Sequence, residues 1–303
     1  MNKGLKRVWR SWGGEFSRQL YFELAKMFGR RRTHIGFGVF VLLELLFAIL
    51  YKREDSVVWV KEMISKQASS LGPLSMLFDL EYFYSALTMS HMILGVAVVL
   101  LGGLFLALVA GDIVSKEEED GTLRMVLSRP ITRGRLLAVK YSACAVFTFA
   151  LIGFAAVSSL ATGFLFWRAD GGFFMSSRDL GLTAFHKFEP GLWRFILAIP
   201  FLAASMFVVT SVAFLFSCLR MKPATATILT LALLFIDIIL KRMGPLRDIK
   251  HVFITSRMSS WQLVFGHKID WWLLAQNFSI LGLVCFVSFC LGWIVFSRRD
   301  FKS

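Results

Sequence analysis

Four consecutive acidic residues, Glu117-Glu118-Glu119-Asp120, follow an apolar run from Met89 to Ala110. A chain that leaves a lipid bilayer usually carries Lys or Arg at that point. A cluster of one charge sign so close to lipid is also costly in free energy. We therefore interpret these carboxylates as a docking surface for basic side chains of another protein.

The residues around the acids predict a helix, a break at Gly121, a second helix and a stop at Pro130. A short helix along the membrane surface would use its leucines as apolar anchors while the acids face a partner, as in helix-in-groove docking. We call residues 112–128 the acidic segment. Its candidate contact residues are Asp112, Glu117, Glu118, Glu119, Asp120, Gly121, Thr122, Leu123 and Leu127.

Two further acids lie inside apolar runs. Glu44 is near the middle of the first run, where a bare carboxylate costs at least about 2.5 kcal/mol on insertion scales. It should therefore face the protein interior, be protonated or pair across a dimer, and it is a candidate for gating or for the substrate path, with a structural hydrogen bond as the alternative. Asp237 precedes Lys241 by four residues, which predicts an ordinary ion pair along a helix.

The elements that position these acids follow from the composition. Of 303 residues 56% are hydrophobic, 31 are Phe, and the mean hydropathy is +0.65. Because a span needs roughly 20 mostly apolar residues, the sequence predicts an all-α integral membrane protein with six transmembrane helices. We expect one domain, residues 1–303. The predicted spans are residues 34–51, 89–110, 138–167, 192–219, 224–240 and 271–296.

The distribution of basic residues predicts the orientation of these spans. With both termini in the cytoplasm, the cytoplasmic segments hold nineteen Lys and Arg and the outer segments hold thirteen. The expected location is a bacterial plasma (inner) membrane, with the acidic segment in the cytoplasm between spans two and three.

The net charge of +14 would suit nucleic acid, but its placement indicates membrane lipid instead. Residues 15–32 alternate apolar and basic side chains at helical spacing, which is typical of an amphipathic helix attracted to anionic head groups. An ordinary solvated helix leading into the first span is the alternative.

The outer segment, residues 241–270, carries six basic residues and an aromatic-rich stretch that predicts an interfacial helix. It either receives an extracytoplasmic partner protein or an anionic ligand, or is a solvated loop. The four cysteines lie in apolar spans and the five histidines are scattered, so we expect no metal site.

At the acidic segment the chain resembles the type-2 ABC transporter permeases. Residues 296–301 are similar to the usual end of these proteins, and residues 23–30 to their N-terminal interfacial helix. The matching residues in the middle are Gly111, Asp112, Glu117 to Asp120, Gly121-Thr122-Leu123, Leu127-Ser128-Arg129-Pro130-Ile131, Arg133 and Lys140.

The resemblance implies a permease subunit that does no covalent chemistry. Its partners would be a second permease copy, in a homodimer, and two ABC ATPase subunits. The ATPase subunits would bind the acidic segment, which would act as the coupling helix. ATP and Mg²⁺ would belong to the ATPase, and this sequence contains no GxxxxGK[ST] motif of its own.

Two rival classes remain open. Intramembrane hydrolases of the prenyl-processing type carry Glu-Glu, three residues and Arg, but here Glu118-Glu119 is followed by Arg124 after four. A secondary carrier would normally show broken spans in matching halves, and we find no such symmetry.

Overall fold

The computed structural model describes residues 3–69, 80–123, 132–177, 179–243 and 252–299, and their side chains except at 3–13, 68, 69 and 80. Within these ranges six helices are long and apolar enough to cross a membrane. The prediction of six spans is thereby confirmed. They are α2 (Arg31–Tyr51), α5 (Ala86–Glu119), α6 (Arg133–Phe166), α7 (Phe188–Ser217), α8 (Pro223–Arg242) and α10 (Trp271–Ser297).

Four further helices and a hairpin complete the described structure. The helices are α1 (Lys3–Phe28), α3 (Glu54–Ser69), α4 (Leu80–Phe83) and α9 (Ile254–Met258), and a 3₁₀ turn, Ser259–Phe265, continues α9. Strands β1 (Phe173–Ser177) and β2 (Leu182–His186) pair antiparallel, with Phe173 opposite His186.

The core forms around α7, which packs against α5, α6, α8 and α10. Burial differs sharply among the spans: about half of the most apolar stretch is buried in α6 and α7, but only 11% in α8. Apolar side chains such as Ile228 on α8 and Leu42 on α2 are more than 60% exposed. These outer faces are available to lipid or to another transmembrane helix.

The β-hairpin was not foreseen, because the prediction treated residues 168–190 only as a loop between spans. Its turn contains Gly181 with φ of +60°, a conformation that glycine adopts without a Cβ penalty. Phe174 and Phe185 pack with Val60 and Ile64 of α3 into a second, smaller core. We call this part of the molecule the hairpin end.

The N-terminal helix also differs from its predicted bounds of 15–32. α1 ends at Phe28, Gly29 and Arg30 form a turn, and α2 begins at Arg31, so Arg31 and Arg32 belong to the first spanning helix. Met27 is buried, and Leu24 packs against the main core. The apolar face of α1 therefore contacts the protein, since α1 lies against α6.

Candidate functional site

The first part of the acidic segment is the end of α5. The helix runs without a break through Glu119, Asp120 caps it, and Gly121 has φ of +71°. A left-handed glycine just past the cap is a common helix C-terminus. The glycine break is where the sequence predicts it, but Glu117, Glu118 and Glu119 are the last turn of a spanning helix and not part of a separate surface helix.

Glu117 points into the protein. It is 5% exposed and forms ion pairs with Lys26 of α1 and with Lys140 of α6, the latter at 2.8 Å between Oε2 and Nζ. A buried charge persists only when it is paired and hydrogen-bonded. Glu117 therefore joins the ends of three helices.

Lys140 is the centre of this cluster. Its side chain is fully buried, and Nζ lies 3.4 Å from Glu23 Oε1 and donates to the carbonyl oxygen of Ile113 at 3.3 Å. The ammonium group thus donates hydrogen bonds to the Glu23 carboxylate and to this carbonyl oxygen, and it forms an ion pair with the Glu117 carboxylate. We call Glu23, Lys26, Glu117 and Lys140 the buried charge cluster.

Asp112 and Glu118 are paired with other parts of the chain. Asp112 is 8% exposed and forms an ion pair with Arg32 at the start of α2. Glu118 pairs with Arg299, just after α10, at 3.0 Å. Arg133 at the start of α6 donates to the carbonyl oxygen of Arg299 at 2.7 Å. The acidic residues thus gather both terminal regions at one end of the bundle, which we call the charged end.

Only part of the predicted docking surface faces outward. Glu119, Asp120 and Gly121 are exposed, and neither acid forms an ion pair with any residue that the structure describes. Thr122 is partly buried and donates to the carbonyl oxygen of Glu117 at 3.2 Å, which tightens the turn. Leu123 is buried in the core. Leu127 lies outside the described residues.

A cavity of about 750 Å³ opens beside this turn, between α2, α5 and α8. Its walls are apolar, and its mouth carries Arg32, Asp112, Lys116, Glu119 and Lys222. α8 approaches α5 closely here, because a Cβ at Gly111 would lie 2.9 Å from the hydroxyl of Thr227. The acidic turn therefore lies next to a groove between three spanning helices.

The comparison with family models agrees with this architecture. The model described as "ABC-2 family transporter protein" matches residues 23–246, about three quarters of the chain, including α2, α5 and the acidic segment. The chain belongs to the ABC-2 transporter family. A comparison with curated proteins found no match to the sequence. Family membership identifies an integral, multi-pass membrane protein of a transport family, whose members are not themselves catalytic.

Glu44 of this ABC-2 family transporter is fully buried on α2, as its position in the span predicts. Neither of its oxygens has a hydrogen-bond partner within bonding distance among the described residues, and the nearby Ser158 hydroxyl of α6 donates to Ala155 at 3.2 Å instead. Glu44 does not line the cavity between α2, α5 and α8. The structure therefore gives no partner for the expected structural hydrogen bond among the described residues, and the role of Glu44 in gating or in the substrate path stays a prediction.

Sequence reasoning missed the buried charge cluster. The sequence indicates Lys140 only as part of the family pattern. It indicates Glu23 and Lys26 only as residues of an amphipathic helix. One signal was present: Lys140 lies inside the predicted span 138–167, where an ammonium group requires a partner. The sequence could not show which carboxylate supplies it.

The predicted pair of Asp237 with Lys241 is wrong. Asp237 instead accepts hydrogen bonds from the backbone N–H of Thr255 at 2.8 Å and of Ile254 at 3.3 Å, and so caps the start of α9. Lys241 pairs with Asp179 at 2.7 Å. Unsatisfied N–H groups at a helix start favour a carboxylate. The N–H groups of α9 therefore bind Asp237 in place of Lys241, which lies on the same helix as Asp237, α8.

Proposed function

We propose that this chain is the permease subunit of an ABC transporter, that it forms a substrate path with a second copy, and that two separate ATPase subunits drive it. The observation that carries the proposal is the structure of the acidic segment. Two exposed carboxylates, Glu119 and Asp120, stand on a turn whose base is held by buried ion pairs to three other helices.

The charged end is the cytoplasmic side in this proposal. An even number of spans supports termini on one side of the membrane. The ion pairs Glu15–Arg135 at 3.1 Å and Glu118–Arg299 at 3.0 Å support it too, because they hold both terminal regions at the charged end. The excess of Lys and Arg in these segments supports the same orientation in a bacterial plasma membrane.

The buried charge cluster gives the acidic segment a way to transmit force. A partner that pulls on Glu119 and Asp120 pulls on the last turn of α5, which is tied to α1 through Lys26 and to α6 through Lys140. Closure of the ATPases on ATP would therefore move α1, α5 and α6 together and rock α2, α5 and α8. Binding of ATP and Mg²⁺ is assigned to the partner.

The second copy is expected at the face formed by α2 and α8. These are the least buried spans apart from α10, and their apolar side chains are exposed on both sides of the 750 Å³ cavity. A homodimer across this face would turn the two cavities towards a shared path. The hydrolase and carrier alternatives gain no support from the described residues, while the family match favours the permease.

The test separates docking from folding. The double change Glu119→Ala with Asp120→Ala should reduce copurification of the ATPase and uncouple ATP hydrolysis from transport, while the thermal stability of the permease stays unchanged. A matched control is Glu62→Ala with Glu54→Ala on α3, two exposed acids outside the charged end. Normal ATPase binding and transport in the acidic-segment variant would refute the assignment of this surface.

Orientation has its own test. A single cysteine at Asp120, in a chain whose four natural cysteines are replaced by Ser or Ala, should react with a membrane-impermeant maleimide only in inverted vesicles. Reaction in intact cells would place the acidic segment outside and remove it from the reach of any ATPase.

A further inference from the structure

A second cavity lies in the half of the bundle nearer the hairpin end, between α5, α7 and α8 and against the 3₁₀ turn Ser259–Phe265. Its volume is about 280 Å³, close to the lower limit of roughly 300 Å³ for small-molecule sites. Gly95 and Gly103 of α5 both line it. These positions are about 12 Å apart along a helix, so the cavity is elongated.

A buried hydroxyl group faces this space without a partner. Ser205 of α7 lines the cavity, is 1% exposed, and forms no hydrogen bond to any described residue. Serines in helices usually donate to the carbonyl four residues earlier, and Ser211 of the same helix does so at 2.8 Å. Because a buried polar group without a partner is costly, Ser205 indicates that a polar atom of a ligand belongs here.

The backbone of α5 is altered at the same place. Residues Val98–Gly102 form a π-helical turn, and Val98 and Val99 line the cavity. Such turns are rare and occur frequently at functional sites. A Cβ added at Gly95 or at Gly103 would meet no atom within 4 Å. Both glycines therefore leave room that the packing of the protein itself does not need.

The mouth of the cavity is polar and carries an excess of positive charge. Lys241, Arg242 and Asp179 line it, and Asp179 accepts hydrogen bonds from Lys241 at 2.7 Å and from Ser259 at 3.2 Å. Arg242 forms no ion pair with any residue in the described ranges. Two cations, Lys241 and Arg242, therefore act on one carboxylate, Asp179, so the described residues of the mouth carry a net positive charge that favours an anionic ligand.

We propose that this cavity binds a single-chain amphiphile with an anionic head group. Arg242 binds the head group at the mouth, the apolar chain lies along α5 and α7 towards the middle of the membrane, and a hydroxyl group carried along that chain forms a hydrogen bond with Ser205. Dodecanoate lacks this hydroxyl group and therefore measures the head-group and chain contacts alone. The volume is small for a lipid with two chains. The ligand site does not depend on an ATPase, so its failure would leave the proposed permease function untouched.

Binding of radiolabelled dodecanoate to the purified full chain in nanodiscs of zwitterionic lipid tests this site, with empty nanodiscs as the blank. We expect saturable binding of one molecule per chain. Gly103→Leu, which fills the cavity, and Arg242→Gln, which removes the head-group partner, should each weaken binding about tenfold, equivalent to about 1.4 kcal/mol.

Matched controls make the result specific. Gly153→Leu places the same side chain at another spanning-helix glycine with nothing within 4 Å, and Lys187→Gln removes an exposed cation beside the hairpin. Neither change should affect binding. Equal binding in all five proteins, or no saturable binding, would overturn the proposal.

Competition then identifies the source of the ligand. Displacement of dodecanoate by dodecyl phosphate at a lower concentration than by unlabelled dodecanoate indicates a phosphate head group, and the reverse order indicates a carboxylate. Dodecanol should compete poorly in the wild type but about as well as unlabelled dodecanoate in Arg242→Gln, because that variant lacks the head-group cation. Dodecanol competing as well as both acids would show that charge plays no part and would reject an anionic ligand.

Discussion

Lys140 and Glu117 form the most deeply buried ion pair of the described residues, with side chains 1% and 7% exposed. Replacing Lys140 by Met removes the charge and keeps an unbranched apolar stem. Glu117 then retains only Lys26, whose side chain is 44% exposed. Breaking a buried pair costs about 3–5 kcal/mol, whereas an exposed partner contributes about 0–1 kcal/mol. Replacing Lys140 should therefore lower the free energy of unfolding more than replacing Lys26, although both lysines pair with Glu117.

Thermal unfolding of the purified protein in detergent, followed by tryptophan fluorescence, measures this difference. At about 2–4 °C per kcal/mol for chains of roughly 150–250 residues, Lys140→Met should lower the unfolding temperature by about 6 °C or more. The matched control Lys26→Met should lower it by about 4 °C or less.

A double change completes the test. Lys140→Met together with Glu117→Gln leaves neither charge in the interior, so it should recover much of the loss of the single lysine change. Equal effects of Lys140→Met and Lys26→Met, or a double variant as unstable as the sum of its two single changes, would refute the view that this pair holds α5 to α6.

Three further outcomes follow from single contacts. Glu44→Gln should leave transport intact and stability equal or higher, because the amide keeps the shape and has no charge to desolvate; lost transport in a stable variant would restore the gating role. Burial lowers the pKa of His186, so the unfolded chain binds a proton below about pH 6.5 that the folded chain does not. The unfolding temperature should therefore fall between pH 7.5 and 5.5, and less so in His186→Gln; equal slopes in both proteins would contradict this. A Cβ at Gly163 would lie 2.6 Å from the carbonyl oxygen of Ala86. Gly163→Ala should therefore lower the free energy of unfolding by about 1–3 kcal/mol. The control Gly153→Ala has open space around its Cβ and should leave stability unchanged in the same unfolding assay.

Local patterns in the sequence were sufficient to predict the six spans and the residue at which α5 ends. A run of apolar residues long enough to cross hydrocarbon must form a helix there, since unpaired backbone groups are too costly in lipid. Gly121 marked the helix end because few other residues adopt a positive φ readily. Both features depend on residues that are close in sequence, so the local sequence is enough to predict them.

The partners of the charged residues depended on the packing of distant helices. Asp237 has a lysine four residues away, yet it caps α9 instead, because the start of that helix offers unpaired N–H groups within reach. Four adjacent acids looked equivalent, but 3.6 residues per turn point Glu117 towards Lys140 and leave Glu119 in solvent. The β-hairpin carried no strong periodic signal over its two five-residue strands.

The sequence by itself determined that this is a six-span membrane protein with an acidic turn after the second span, because the hydrophobic effect and helix geometry act on continuous segments. Only the tertiary structure decided which acids are buried in ion pairs, which remain exposed, and where cavities open between helices. Those features depend on the angles and distances at which helices pack, and these are set by side chains that lie far apart in the chain.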